Sequence, residues 1–175
     1  VTLVSQQDYA GMFRECSHAF RIEGEPVYFT SAAEGEALAG FLAGSPQPPS
    51  AFPEWQAWLD QIRQWTRQGK TITRVRIADN PMTGYQRWSV WCSRWHLDAG
   101  ESIRYLPRSA ADLLGIPRGD WQLFDHNRLV LMAFTATGEP AGKTLVTDPE
   151  VISQHREWRS LALRHATAAE AIPVP

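Results

Sequence analysis

Thr71-Ile72-Thr73-Arg74-Val75-Arg76-Ile77-Ala78-Asp79-Asn80-Pro81, then Tyr85, Trp88, Cys92 and Trp95, and finally Gly100-Glu101-Ser102-Ile103-Arg104-Tyr105-Leu106, make up the stretch on which the fold turns. Residues 71–78 mix β-branched enrichment with a two-residue alternation, the period of a strand. Asn80-Pro81 reads as a helix start, because asparagine caps free N–H groups and proline is tolerated in a first turn. The helix from about residue 81 to residue 98 carries Tyr85, Trp88, Cys92 and Trp95 on one face, expected to lie on the sheet, and Gly100 stops it. A connection of that length cannot be a hairpin, so residues 71–78 and 102–106 are expected to be neighbouring parallel strands with a right-handed crossover.

Working outward, further strands are expected at 19–23, 121–125, 128–134 and 143–146. Tight turns are expected at Asp125-His126-Asn127-Arg128 and Thr137-Gly138-Glu139-Pro140. Helices are expected near 6–14, after the capping-box pattern Ser31-Ala32-Ala33-Glu34, from Pro53 to Gly69, over 109–114 and from Asp148-Pro149 past Trp158. The fold class is α/β (α+β): a mixed β-sheet with a parallel βαβ crossover and C-terminal antiparallel hairpins, flanked by helices. One domain is expected over 1–172. Within it, the helix-strand-helix section 1–44 should pack on the main body, since 44 residues are marginal alone; 45–52 is a Pro-rich linker and 173–175 a loose tail.

The chain has 175 residues, 43% apolar and 21% charged, which argues against wholesale disorder, a fibrous repeat or a coiled coil. A net charge of −2 argues against binding nucleic acid or a membrane surface through bulk charge. Arginine outnumbers lysine 15 to 2, and eight tryptophans can build either a heavy core or a flat recognition surface. No run of roughly 20 apolar residues suggests a membrane span, and the N-terminus lacks a leader pattern. Cys16 and Cys92 show neither CxxC nor metal-ligand spacing, so a reducing cytoplasm is the expected setting, with no metal and no cofactor.

Ligands of sheets with a parallel crossover sit beyond the carboxyl ends of strands, which draws attention to Asp79 and Asn80 and, after the second strand, to Arg108. Against this, Asn80 can merely cap a helix and Arg108 can be solvated. Arg74 and Arg76 alternate with Val75 and Ile77, so both guanidiniums leave the same strand face about 7 Å apart. They either pair with buried carboxylates, with Asp125, Glu101 and Glu23 as candidates, or line a cleft for a carboxylate or phosphate. The candidate ligand-binding set is therefore Arg74, Arg76, Asp79, Asn80, Arg108 and Asp125. Cys92 with His96, and Cys16 with His18, have nucleophile-like spacing but no third partner, and no phosphate loop, nucleophile elbow or zinc-protease motif occurs.

Phe20-Arg21-Ile22-Glu23, Gly69 through Ile77, Pro81 through Tyr85, Ala99 through Arg104 and Asp120 through Asp125 together resemble an uncharacterised family of small actinobacterial, Streptomyces-type cytosolic proteins. The resemblance covers roughly residues 10 to 165 and implies genes placed beside helix-turn-helix regulators, but no catalytic residue. A fainter similarity is to phospholipase-D-like domains with their H-x-K-x4-D motif. Here His126-Asn127-Arg128 has arginine for lysine and Ala133 stands at the acid's position, which implies a degenerate site. The expected function is a non-catalytic accessory or regulatory binding domain, sensing a small anionic ligand or binding a helix-turn-helix regulator protein. The alternative is a small α/β enzyme of specialised metabolism acting on a phosphate- or carboxylate-bearing substrate.

Overall fold

A computed structural model describes residues 2–29 and 31–173. Val174 and Pro175, two of the three residues of the expected loose tail, lie outside that range. Along the chain run β1 (Thr2–Leu3), α1 (Gln6–Glu15), β2 (His18–Glu23), α2 (Ala32–Leu42), α3 (Pro53–Arg67), β3 (Thr71–Ala78), α4 (Gly84–Asp98) and β4 (Ser102–Pro107). There follow α5 (Arg108–Leu113), β5 (Asp120–Phe124), β6 (Arg128–Phe134), β7 (Pro140–Val146), α6 (Pro149–His165) and β8 (Thr167–Ala168).

The strands form one mixed sheet in the order β1-β7-β6-β5-β2-β3-β4-β8. β3 and β4 are parallel neighbours joined through α4, as the sequence stretch requires. β2 adds a second parallel pair, with Arg21 opposite Arg74 and Glu23 opposite Arg76. β5 pairs antiparallel with β2 and continues into the antiparallel ribbon β5-β6-β7. The 45–52 segment is not bare: Pro49–Ala51 forms a 3₁₀ turn in which Pro49 is buried, and Phe52 beyond it is buried too.

The two sheet faces differ in character because successive side chains alternate. One face is apolar: Phe20, Ile22, Val75, Ile77, Leu106, Trp121, Leu123 and Leu129 pack with Ala111 of α5 and Ile152 and Ala162 of α6. The opposite face begins the same way, with Ala19, Ile72, Phe124 and Val130 against Phe13 of α1 and Leu59, Ile62 and Trp65 of α3. By the same alternation Arg21, Glu23, Arg74 and Arg76 continue this second face, so its centre is charged although helices lie over it.

Two expectations about α4 need correction. Asn80 does not cap it; Asn80 is exposed, the Asn80-Pro81 peptide is cis, and the helix starts at Gly84. Thr83 is the cap, its hydroxyl accepting from Gln86 N–H while the Gln86 side chain reaches back to the Thr83 N–H, and this reciprocal pair outcompetes the proline signal. Nor do Trp88 and Cys92 lie on the sheet, whereas Trp95 packs with the cluster of the second sheet face. Trp88 and Cys92 pack with Ala37 of α2 and with Phe52, beside Trp55. The sheet-facing stripe of α4 is largely polar: Gln86 donates to the Ile77 carbonyl, and the Ser89 and Ser93 hydroxyls meet Tyr105 Oη.

Candidate functional site

The charged centre of the second face is a continuous ionic lattice built around Glu23. Arg74 Nη1 donates to Glu23 Oε1 at 2.6 Å and Arg76 Nε to Glu23 Oε2 at 2.8 Å. Arg21 Nη1 lies 3.6 Å from Glu23 Oε1, while its Nη2 donates to Asp120 Oδ2 at 2.6 Å. Asp120 Oδ1 also accepts from the Gly24 N–H and from Tyr28 Oη. On the other side Arg74 Nε donates to Glu101 Oε1 at 2.9 Å, and His96 Nδ1 lies 2.7 Å from Glu101 Oε2. Arg76 Nη1 is satisfied by the Ser89 carbonyl, Ser93 Oγ and Tyr105 Oη.

The lattice fixes the charge states of its members. Burial alone would raise the Glu23 carboxyl, but Arg74, Arg76 and Arg21 together hold it well below the usual carboxylate range. Glu101 is likewise opposed by burial, yet Arg74 and the His96 hydrogen bond bring it down to about 2. Burial lowers His96, with Arg74 and Arg76 adding to that against the pull of Glu101, so the ring is neutral at pH 7 and donates from Nδ1.

Above the lattice opens a cavity of about 570 Å³. Arg21, Glu23, Arg74 and Arg76 form its floor, and its walls are aromatic: Tyr9 from α1, Trp55 and Trp58 from α3, Tyr85 and Trp88 from α4, and Tyr28 from the loop after β2. Arg74 and Arg76 thus do both things the sequence left open, pairing with Glu23 and Glu101 while lining a cavity. A somewhat larger depression, about 610 Å³, lies along α6 beside His126, Arg156, Arg159 and Arg164. It contains no buried charged side chain, so the deeper, lattice-floored cavity is the stronger site.

The other four candidate residues do not join this site. Asp79 and Arg108 pair with each other beyond the ends of β3 and β4, where Arg108 Nη2 also donates to the Gly24 carbonyl and Asp79 Oδ2 accepts from Gln86 Nε2. Asn80 is exposed in the loop that follows. Asp125 lies at the opposite end of β2, where Oδ1 accepts from the Ser17 and His18 N–H groups at 2.8 Å each. Those two bonds outweigh desolvation and lower its carboxyl. Asp125 therefore tethers the β5-β6 turn to the start of β2 and does not pair with Arg74 or Arg76. Both thiols, Cys16 and Cys92, are buried and pushed up by that burial, away from nucleophilic thiolate.

Sequence reasoning missed Arg21 and the aromatic walls. A signal for Arg21 was present, since Phe20-Arg21-Ile22-Glu23 has the same apolar-charged alternation as Val75-Arg76 and its neighbours. For the walls no short-range signal exists, because they come from four separated segments.

Fold and site together define a mixed α/β domain with a helix-covered, arginine-floored cavity. The chain belongs to the family described as Domain of unknown function (DUF6879), whose model matches residues 7–171. A search of the curated proteins finds no match. Among the described residues no helix is long and apolar enough to cross a membrane, and no group of three or more His, Cys, Asp or Glu side chains is placed to hold a metal ion.

Proposed function

We propose that this chain is a non-catalytic accessory or regulatory domain that binds a small anionic ligand in the cavity, and that a regulator protein reads its occupancy. One observation carries the proposal. Arg74 and Arg76 are held in place by carboxylates, yet among the described residues the Nη2 of each has no acceptor, and both side chains line the cavity. Pre-oriented guanidinium donors on the floor of an aromatic-walled cavity suit a carboxylate or phosphate oxygen, and the volume is that of a small-ligand site. The helix-turn-helix partner rests on the sequence resemblance, and the reducing cytoplasmic setting on the two free cysteines.

The enzyme alternative needs a group able to carry a proton or attack a substrate near neutral pH. At the buried floor Glu23 and, behind it, Glu101 are held ionised by arginines and burial pushes the Cys92 thiol up, so none of these three is such a group, and this favours binding there. The test is a thermal-shift series with benzoate, acetate and inorganic phosphate. An anion at 100 times its dissociation constant adds about 2.7 kcal/mol of stability; no response to any of the three overturns the proposal.

A further inference from the structure

The charge pattern of the cavity narrows the chemistry of its occupant. Its deep end presents Arg21, Arg74 and Arg76 around Glu23, with the further carboxylate partners Asp120 and Glu101 outside the lining, and Arg76 and Glu23 are only 8% and 5% exposed. Its open end is anionic. Glu54, in the first turn of α3, is exposed, and Glu34, in the first turn of α2, is half-buried and accepts from Tyr85 Oη at 3.1 Å. Between the two ends run aromatic walls. Trp55, Trp88, Tyr85 and Tyr28 form one unbroken series, with successive ring centroids 5.8, 5.5 and 5.4 Å apart. Tyr9 and Trp58 are joined through Phe13 into a second.

Of the four buried side-chain donors without an acceptor among the described residues, two belong to residues that line this cavity, the indole Nε1 of Trp88 and Nε of Arg21. Trp88 is 5% exposed and its ring lines the cavity, while its N–H is buried without an acceptor.

We propose that the cavity selects a two-charged ligand, an amino-aryl carboxylic acid in chemical class. Its carboxylate goes to the arginine floor, its planar ring lies between the aromatic walls, and its ammonium faces Glu54 and Glu34 at the mouth. This rests on the anion-binding reading above and adds the ring and the amine to it. A purely cationic ligand would face guanidinium donors whose carboxylate partners are already engaged, and a purely anionic one would have to remain beside two carboxylates. Only a molecule carrying both charges, acid end inward, meets the opposite sign at each end. The faces of Trp55 and Trp88 offer stacking to the ring and cation–π attraction to the ammonium.

The experiment is isothermal titration of the full chain at pH 7 and low salt with four probes. They are 4-(aminomethyl)benzoic acid, 4-methylbenzoic acid, benzylamine, and trans-4-(aminomethyl)cyclohexanecarboxylic acid. The aminomethyl acid is expected to bind about tenfold tighter than 4-methylbenzoic acid, the combined yield of an exposed ion pair and a cation–π contact. The saturated-ring analogue should bind several-fold more weakly than the aromatic one, and benzylamine most weakly of all. Glu54→Gln should shrink the tenfold preference to about threefold or less. Equal binding of the aminomethyl and methyl acids overturns the two-charge inference and leaves the anion reading standing. Tighter binding of benzylamine than of either acid overturns both. Heat from none of the four overturns the inference, and the anion reading is then decided by the thermal-shift series.

Discussion

Arg76 stands beside Glu23 on the adjacent parallel strand, and its Nε donates to Glu23 Oε2 at 2.8 Å in a place where neither residue is more than a tenth exposed. A pair buried this deeply is expensive to break from one side, because the survivor keeps its charge without its partner. Arg76→Met keeps the stem and removes the charge, and it should destabilise the chain by about 3–5 kcal/mol. Urea unfolding of the variant measures this. A loss under about 1 kcal/mol, the scale of a solvated pair, would show that the lattice is open to water.

Acid should unfold the chain through the same lattice. Glu101 falls from 4.5 to about 2 on folding, and Glu23 falls further in the same direction. A group depressed in this way contributes stability that is full above its unfolded value and is lost as pH falls through its folded one. His96, lowered by burial, acts in the same sense beginning near its ordinary 6.5, since the unfolded ring takes up a proton that the folded ring resists. The unfolding midpoint should therefore decline below about pH 6.5 and drop more steeply between about 4.5 and 2. In Glu101→Gln the steep part should be shallower; an identical acid profile would refute the assignment.

The parallel β3-α4-β4 unit was legible because its signals are local: alternation over Thr71–Ala78, a glycine stop, and a connection too long for a hairpin. The same-face projection of Arg74 and Arg76 followed from strand period alone, and Glu23 and Glu101 were among the named partners. The register that puts Arg21 opposite Arg74 was not legible, because it depends on β2 inserting between β5 and β3, a choice made by non-local pairing. The tryptophan face of α4 was misdirected for a related reason. Nothing within residues 81–98 reveals that α2 will cover that side and leave Ser89 and Ser93 to meet the buried Arg76 and Tyr105.

Trp88 and Trp55 touch, yet they should respond differently to truncation. Trp88 is buried against Ala37, Phe52 and Cys92, so Trp88→Ala should cost about 3–5 kcal/mol, the usual range for emptying a large aromatic from a core. Trp55 is half-buried, so Trp55→Ala should cost less stability while weakening any cavity ligand. Melting temperature with and without a bound carboxylate separates the two. Equal stability losses, with ligand binding unaffected in Trp55→Ala, would remove Trp55 from the site.

The start of α4 can be located by two substitutions. Thr83 Oγ1 accepts the Gln86 N–H at 3.1 Å and donates to the Pro26 carbonyl at 2.7 Å, so it both caps the helix and ties it to the loop after β2. Removing an N-cap hydroxyl typically costs about 0.5–2 kcal/mol, and the added tether places Thr83→Ala toward the upper part of that range. Asn80 is exposed, and its side chain has no hydrogen-bond partner among the described residues, so Asn80→Ala should stay within about 0.5 kcal/mol. Denaturant titration of both variants measures the contrast. The reverse order, a costly Asn80→Ala beside a harmless Thr83→Ala, would move the helix start back to the Asn80-Pro81 step.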